Sequence, residues 1–246
     1  VLDLALAAAL SGSLSAALFF LVRKIKHRAA STLLCALSLC AILAHLLFLR
    51  DSLLAARLLP FSGLILLANP IFPAASTLAA LCRRTPLRIL LISLGVVALL
   101  QPIFVFTPDC RDRSSDGVTL QTSPATCAPA AASTLLRHYG IVATEAEMSR
   151  LCLSTKNGTP LLGLYRGLRL KAGRVEILRE LSSPAILLVR LEPGDTSDPR
   201  YERDWGWTPG VSHTVVFFGF APDGRAEIGD PAVGREFWSP EDLRIL

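Results

Sequence analysis

The chain has 246 residues, 52% of them hydrophobic and only 18% charged, with a formal net charge of +5. A soluble domain carries about 25% charged residues, and here the shortfall lies almost entirely before about residue 107, so an apolar half precedes an ordinary globular one. The basic residues sit in short runs between apolar segments, as at Arg23-Lys24-Ile25-Lys26-His27-Arg28 and Arg83-Arg84. That is a topology signal and argues against nucleic acid as a partner. No G-x-x-x-x-G-K-[ST] loop occurs, which excludes an ATP-driven motor within these residues.

The apolar half, residues 1–107, is expected to form an all-α bundle of about four spans. Residues 4–22 hold no ionisable group and suffice to cross a hydrocarbon core. Residues 29–49 repeat the pattern, with His45 as the one titratable group. Residues 58–81 are interrupted by Pro60, Asn69-Pro70 and Pro73, and read as either a kinked span or a re-entrant segment. Residues 89–106 make the fourth, with Gln101-Pro102 near its end. His45 and Asn69 are read as polar groups bonding between helices. The first and third loops carry most of the cations and should stay cytoplasmic, which puts the chain after residue 107 on the exocytoplasmic side if all four segments cross. If the third does not cross, that half lies inside. The first span has its positive charges after it, the wrong polarity for a cleaved signal peptide, and is expected to remain in the membrane.

Residues 108–120 are polar and turn-rich and read as a linker into a domain over 121–246. A helix is expected from Cys127, with Pro129 in its first turn and Gly140 as its C-terminal stop. Thr144-x-x-Glu147 matches a capping box for a second helix, and a third runs from Thr159-Pro160 toward Gly173. Strands follow at 175–178, 185–191, 213–220 and 225–228, the last two joined by the turn Ala221-Pro222-Asp223-Gly224. Helices first and antiparallel strands afterwards indicate an α+β domain.

Cys127 at a helix N-terminus carries the chemistry. Unpaired N–H groups and the helix dipole stabilise a thiolate there. A nucleophilic cysteine needs a base within hydrogen-bond reach. Of the four histidines, His27 and His45 belong to the apolar half, and His138 is eleven residues along the same helix, about 16 Å away at 1.5 Å per residue. That leaves His213. Pairing Phe220 with Arg225 across the turn would bring Val215 opposite Asp230, so His213 and Asp230 would be diagonal neighbours on one sheet face, and Asp230 could orient the imidazole.

The segment Gln121-Thr-Ser-Pro-Ala-Thr-Cys127-Ala-Pro-Ala-Ala-Ala with Tyr139-Gly140, the strand His213-Thr-Val-Val-Phe-Phe-Gly-Phe and the run Ile228-Gly-Asp230-Pro231-Ala together resemble the C39 peptidases. These are papain-like cysteine peptidases that remove leader peptides after a double glycine, often as domains of bacteriocin exporters. The resemblance runs from about Gln121 to Leu246 and implies a papain-like fold, with Cys127 as nucleophile, His213 as base, Asp230 as its orienter and Gln121 as an oxyanion donor. The chain departs from the family in having Thr126-Cys127-Ala128 where Asp-Cys-Gly is usual, and in lacking an ATPase after the peptidase segment. It looks like a stand-alone relative.

The expected activity is hydrolysis of peptide bonds near a membrane, with no cofactor and no metal, since no Cys/His cluster has zinc-site spacing. The implied partners are a peptide or protein substrate, the lipid bilayer, and a transporter or secretion machinery. Two other readings stay open: a silent domain that binds leader-like peptides, and acyl transfer to an amine. Cys35, Cys40 and Cys82 read as small buried hydrophobes. Cys110 and Cys152 form a disulfide candidate. Trp205 and Trp207, in the long segment before His213, are candidates for lining the substrate cleft.

Overall fold

A computed structural model of the chain describes residues 1–50, 52–104, 107–191 and 207–245. Two compact units divide the chain between residues 105 and 106.

The first unit is helical: α1 (Leu2–Val22), α2 (Arg28–Ala44) with a π-helical continuation over His45–Leu49, α3 (Leu54–Leu58), α4 (Leu64–Leu67), α5 (Ile71–Leu81) and α6 (Thr85–Leu100). Among the described residues, Leu2–Val22, Arg28–Leu49 and Leu64–Leu81 are long and apolar enough to cross a membrane. The third apolar segment is broken where its prolines lie, and only Leu64–Leu81 of it is of spanning length. Leu54–Leu58 is a separate helix, Pro60 and Gly63 separate it from α4, and Asn69-Pro70 splits α4 from α5, because proline supplies no N–H to the helical ladder. Asn69 repairs the break: its Nδ2 donates to Ala98 O at 3.1 Å, and its Oδ1 accepts from Ile71 N at 3.0 Å. The expected fourth span begins earlier, at Thr85, and has 16 residues, stopping before Gln101-Pro102. His45 does not act as an interhelical bonding group, since its Nδ1 is buried without a partner among the described residues.

Half of Leu64–Leu81 is buried against 6% of Arg28–Leu49, so the broken helix forms the centre of the bundle. The outward faces are apolar. Leu6, Leu10 and Leu14 of α1 and Leu90, Leu94 and Val97 of α6 are exposed, whereas Ser11, Ser15, Ser76 and Thr77 are buried. In water such an arrangement would leave a large apolar surface wet. Gly63 lies so close to the start of α1 that a Cβ would sit 2.5 Å from Asp3 O. α5 packs along α1, and α6 returns to Asn69 through the Ala98 carbonyl.

The second unit is α+β. Its hairpin β1 (Arg113–Ser115) and β2 (Val118–Leu120) falls inside the expected linker. The turn between them, Asp116-Gly117, has φ of 47° and 80°, the positive values a two-residue hairpin turn needs. Three helices follow, α7 (Cys127–His138), α8 (Glu145–Leu151) and α9 (Leu161–Ala172), in the places the sequence indicates. Thr144 Oγ1 accepts from Glu147 N at 3.1 Å, which caps α8. The strands β3 (Ala185–Arg190), β4 (Ser212–Phe220), β5 (Ala226–Asp230) and β6 (Gly234–Trp238) form an antiparallel sheet in sequential order.

Residues 175–178 are not a strand, because Val175 packs into the helical core instead of joining the sheet. β6 was not anticipated. It is an edge strand whose Arg235 guanidinium lies 4.7 Å over the Phe218 ring and bonds Asp116 O and the Glu227 carboxylate. One core lies on the sheet around Val215, Phe217, Ile228 and Trp238, where burial of each large side chain contributes roughly 1.5–3 kcal/mol. The other joins α7, α8 and α9 around Ala132, Leu136, Met148 and Leu164. Ala128, Ala130, Ala131 and Ala132 are all buried, and these short side chains let α7 lie close across β4.

Candidate functional site

Cys127 reaches the first position of α7 through a 3₁₀ turn over Pro124–Thr126. Thr126 Oγ1 accepts from Ser123 N and from Thr122 N, both at 3.1 Å, and donates to Ser123 O at 2.9 Å. This turn fixes the entry to the helix and aims the Ala128 amide at the Cys127 sulfur. The hairpin is docked on the same helix: Thr119 N donates to Thr134 Oγ1 at 2.8 Å, and β2 leads directly into Gln121.

His213 is the second residue of β4 and Asp230 the last of β5. Next to the turn the strands pair Phe220 with Ala226, one residue off the expected register, and a bulge between Phe217 and Gly219 shifts it back. Continued one step past Val216↔Gly229, the pairing puts Val215 opposite Asp230 as expected. His213 Nε2 and Asp230 Oδ1 are 2.7 Å apart. That leaves Nδ1 as the nitrogen to meet the Cys127 sulfur, which is near enough for ring and thiol to shift each other's acidity. Asp230 is wholly buried, and two more donors hold it: Ala232 N to Oδ1 at 2.7 Å and Trp207 Nε1 to Oδ2 at 2.9 Å.

The electrostatics follow from this geometry. Burial raises the Cys127 thiol, but the hydrogen bond and charge of His213, with bonds from Thr214 and the Ala128 amide, outweigh it and hold the thiol below its ordinary value. Burial works against a protonated His213, but hydrogen bonds and charge from Asp230 and Cys127 prevail and raise it to about 9. Both shifts run in the direction that favours a thiolate beside an imidazolium, because each group's charged form is stabilised by the other.

Gln121 donates its backbone N–H to Pro231 O at 2.8 Å, beside Asp230. Its Oε1 is buried without a partner among the described residues. The structure thus brings Cys127, His213, Asp230 and Gln121 to one region, where α7, β2 and the ends of β4 and β5 meet.

The two tryptophans separate. Trp205 lies outside the described residues. Trp207 is 6% exposed, its ring centroid is 4.9 Å from that of His213 and 5.5 Å from that of Trp238, and its N–H is committed to Asp230. It supports the Asp230 carboxylate and packs against the His213 ring. The disulfide is corrected, since Cys110 and Cys152 are both free. The Cys152 sulfur is turned into the α8–α9 contact, where a Cβ on Gly167 would meet it at 2.3 Å, while Cys110 Sγ lies 3.3 Å from Ser149 Oγ. Sequence reasoning missed Thr214, the Ala128 amide and the bond from Trp207 to Asp230. Thr214 had a signal, its place next to His213, but the indole bond depends on a chain reversal that no spacing encodes. Among the described residues no group of three or more His, Cys, Asp or Glu is placed to hold a metal ion.

No family model matches the chain. It is 32% identical over 138 residues to an uncharacterised protein of Methanothermobacter thermautotrophicus, covering 54% of this chain and 82% of that protein. It is 31% identical over 123 residues to an uncharacterised protein of Methanothermobacter marburgensis, covering 48% of this chain and 73% of that one. The chain belongs to the same family as these archaeal proteins.

Proposed function

We propose that this chain is a membrane-anchored cysteine peptidase whose second unit is papain-like and related to the C39 leader-processing enzymes. The observation that carries the reading is the buried relay from Asp230 through His213 to a Cys127 thiol at a helix N-terminus. The Cys127 thiolate attacks the carbonyl carbon of a peptide bond, and the carbonyl π pair moves onto oxygen. The Gln121 side-chain amide and the Cys127 N–H donate to that oxyanion. As the intermediate collapses, the C–N bond breaks and the leaving amine takes its proton from the His213 imidazolium. The neutral imidazole then takes a proton from water as the water oxygen attacks the thioester carbon, the C–S bond breaks to release the acid product, and the thiolate–imidazolium pair is restored. Asp230 keeps the ring oriented and stabilises its charge throughout.

Three apolar helices of spanning length and an outward apolar face support anchoring in a bilayer. The basic residues clustered after α1 and after α5 support placing those loops in the cytoplasm and the peptidase unit on the exocytoplasmic side. Anchoring would raise the effective concentration of membrane-tethered or translocated substrates, such as peptides handed over by a transporter or secretion machinery.

The test compares protein N-termini in membrane fractions from cells carrying the wild type and Cys127→Ala. Neo-N-termini that vanish in the variant identify substrates and the cleavage motif, and a residue pair such as Gly-Gly before the cut would extend the resemblance to substrate choice. Identical N-termini in both strains would sink the peptidase reading.

A further inference from the structure

Gln121 is one side chain on a short segment, and what holds that segment lies outside the Cys–His–Asp relay. On one side the Gln121 N–H is bound to Pro231 O. On the other, Thr122 donates twice to a single carboxylate: its N–H to Glu145 Oε1 and its hydroxyl to Glu145 Oε2, each at 2.6 Å. Thr122 Oγ1 in turn accepts from Arg111 N at 2.8 Å. Thr122 N is also 3.1 Å from Thr126 Oγ1, in the turn that ends at Cys127.

Glu145 is wholly buried, at the first position of α8. The helix does not need it as a cap, because Thr144 Oγ1 takes the Glu147 N–H and Asp112 Oδ1 takes the Ala146 N–H at 2.9 Å. The dipole of α8 favours a carboxylate there, and both oxygens are turned to Thr122. A buried carboxylate is a poor way to stabilise a fold, since a well-packed apolar side chain often does as well or better. What it supplies is placement. Two short charge-assisted bonds fix a backbone segment more rigidly than apolar packing does.

We propose that Glu145 is a positioning residue for the oxyanion hole: by gripping Thr122 from both donors it holds the Gln121 amide where negative charge develops on a substrate carbonyl. This rests on the peptidase reading and assigns it a residue beyond the relay. Glu145 touches neither substrate nor sulfur. Its loss should weaken binding of a tetrahedral adduct while leaving the thiolate–imidazolium pair intact.

The experiment uses the full chain in detergent micelles and two probes. Iodoacetamide alkylation of Cys127 against pH reports the ion pair alone. A short peptide aldehyde ending in glycinal reports pair and oxyanion hole together, since the thiolate sulfur bonds to the aldehyde carbon and the C=O π pair becomes an oxyanion. Glu145→Gln keeps the volume and removes one of the two acceptors. It is expected to weaken the aldehyde roughly 10- to 100-fold, with the alkylation rate and pH profile within about twofold of wild type. Thr122→Ser keeps both donors and should bind the aldehyde like wild type, while Thr122→Val loses one donor and should fall between. Unchanged aldehyde affinity in Glu145→Gln overturns the proposal. So does a parallel loss of aldehyde binding, alkylation and melting temperature, which marks a purely structural role, and so does a Thr122→Ser defect as large as that of Glu145→Gln. A wild-type chain whose Cys127 is alkylated no faster than Cys110 and Cys152 sinks the peptidase reading itself, and this proposal with it.

Discussion

Cys127 opens α7 and Cys152 follows the last residue of α8, and both are buried. Burial raises both thiols. At Cys152 the charge of Arg166 and the Gly167 amide offset little of it, and the thiol is pushed up to about 12. At Cys127 the imidazolium of His213, the Thr214 hydroxyl and the Ala128 amide reverse the sign. Cys127 also meets the positive end of its helix and Cys152 the negative end of its own. Burial alone therefore makes an inert cysteine. A helix N-terminus with a charged partner in contact makes one able to react.

The contrast can be broken most directly at its centre. Cys127→Ala and His213→Ala should each lower peptide turnover by about 10⁴-fold or more, as loss of a nucleophile or its base does elsewhere, while Cys152→Ala leaves turnover per folded molecule near wild type. Single-turnover assays on the purified chain check this. A comparable loss in Cys152→Ala would erase the distinction.

Asp230→Asn comes next, at roughly 10²- to 10⁴-fold in kcat, because an amide can favour the wrong imidazole tautomer. Without the carboxylate, His213 loses its largest source of proton affinity and should titrate below its present value of about 9, which NMR of the ring protons would follow.

Then comes pH. His213 is raised, so its acid form persists until the pH climbs through about 9, and turnover should decline there as the leaving amine loses its proton donor. Cys127 is lowered, so the acid limb should fall below the ordinary thiol range. Cys152 should show no alkylation limb below about 12. A turnover profile with no alkaline decline near 9 would contradict the proposed proton donor.

Trp207→Phe is the smallest of the series. It removes one hydrogen bond to Asp230 while keeping most of the aromatic packing, for about 1 kcal/mol of stability and roughly a tenfold loss in kcat. Denaturant melts and kcat measured in parallel check it, and a change in KM alone would return Trp207 to the substrate cleft.

The helices of the second unit were legible because their signals are local: Cys127 ahead of an alanine run, Thr144 three residues before Glu147, and Gly140 and Gly173 as stops. The hairpin over Asp116-Gly117 was also written locally, but its strands are only three residues long and the first is wholly polar, so they read as linker. The strand expected at 175–178 shows the opposite error, since branched residues there found a helical core to pack on. The third apolar segment carried its prolines in plain view, yet whether they kink a helix or end it depends on partners such as Ala98, 29 residues from Asn69.

By itself the sequence determined which atoms are available for chemistry: one cysteine at the head of a helix, one histidine opening a strand, one aspartate after the next turn, and an apolar half to place them near lipid. Local spacing carries that much because caps, turns and strand alternation act over a few residues. The tertiary structure decided what those atoms experience. Only packing across long sequence separations brings the Trp207 N–H onto Asp230, Glu145 onto Thr122 and His213 onto Cys127. It also buries two cysteines alike and gives them opposite acidities, because electrostatic environment is set by neighbours in space.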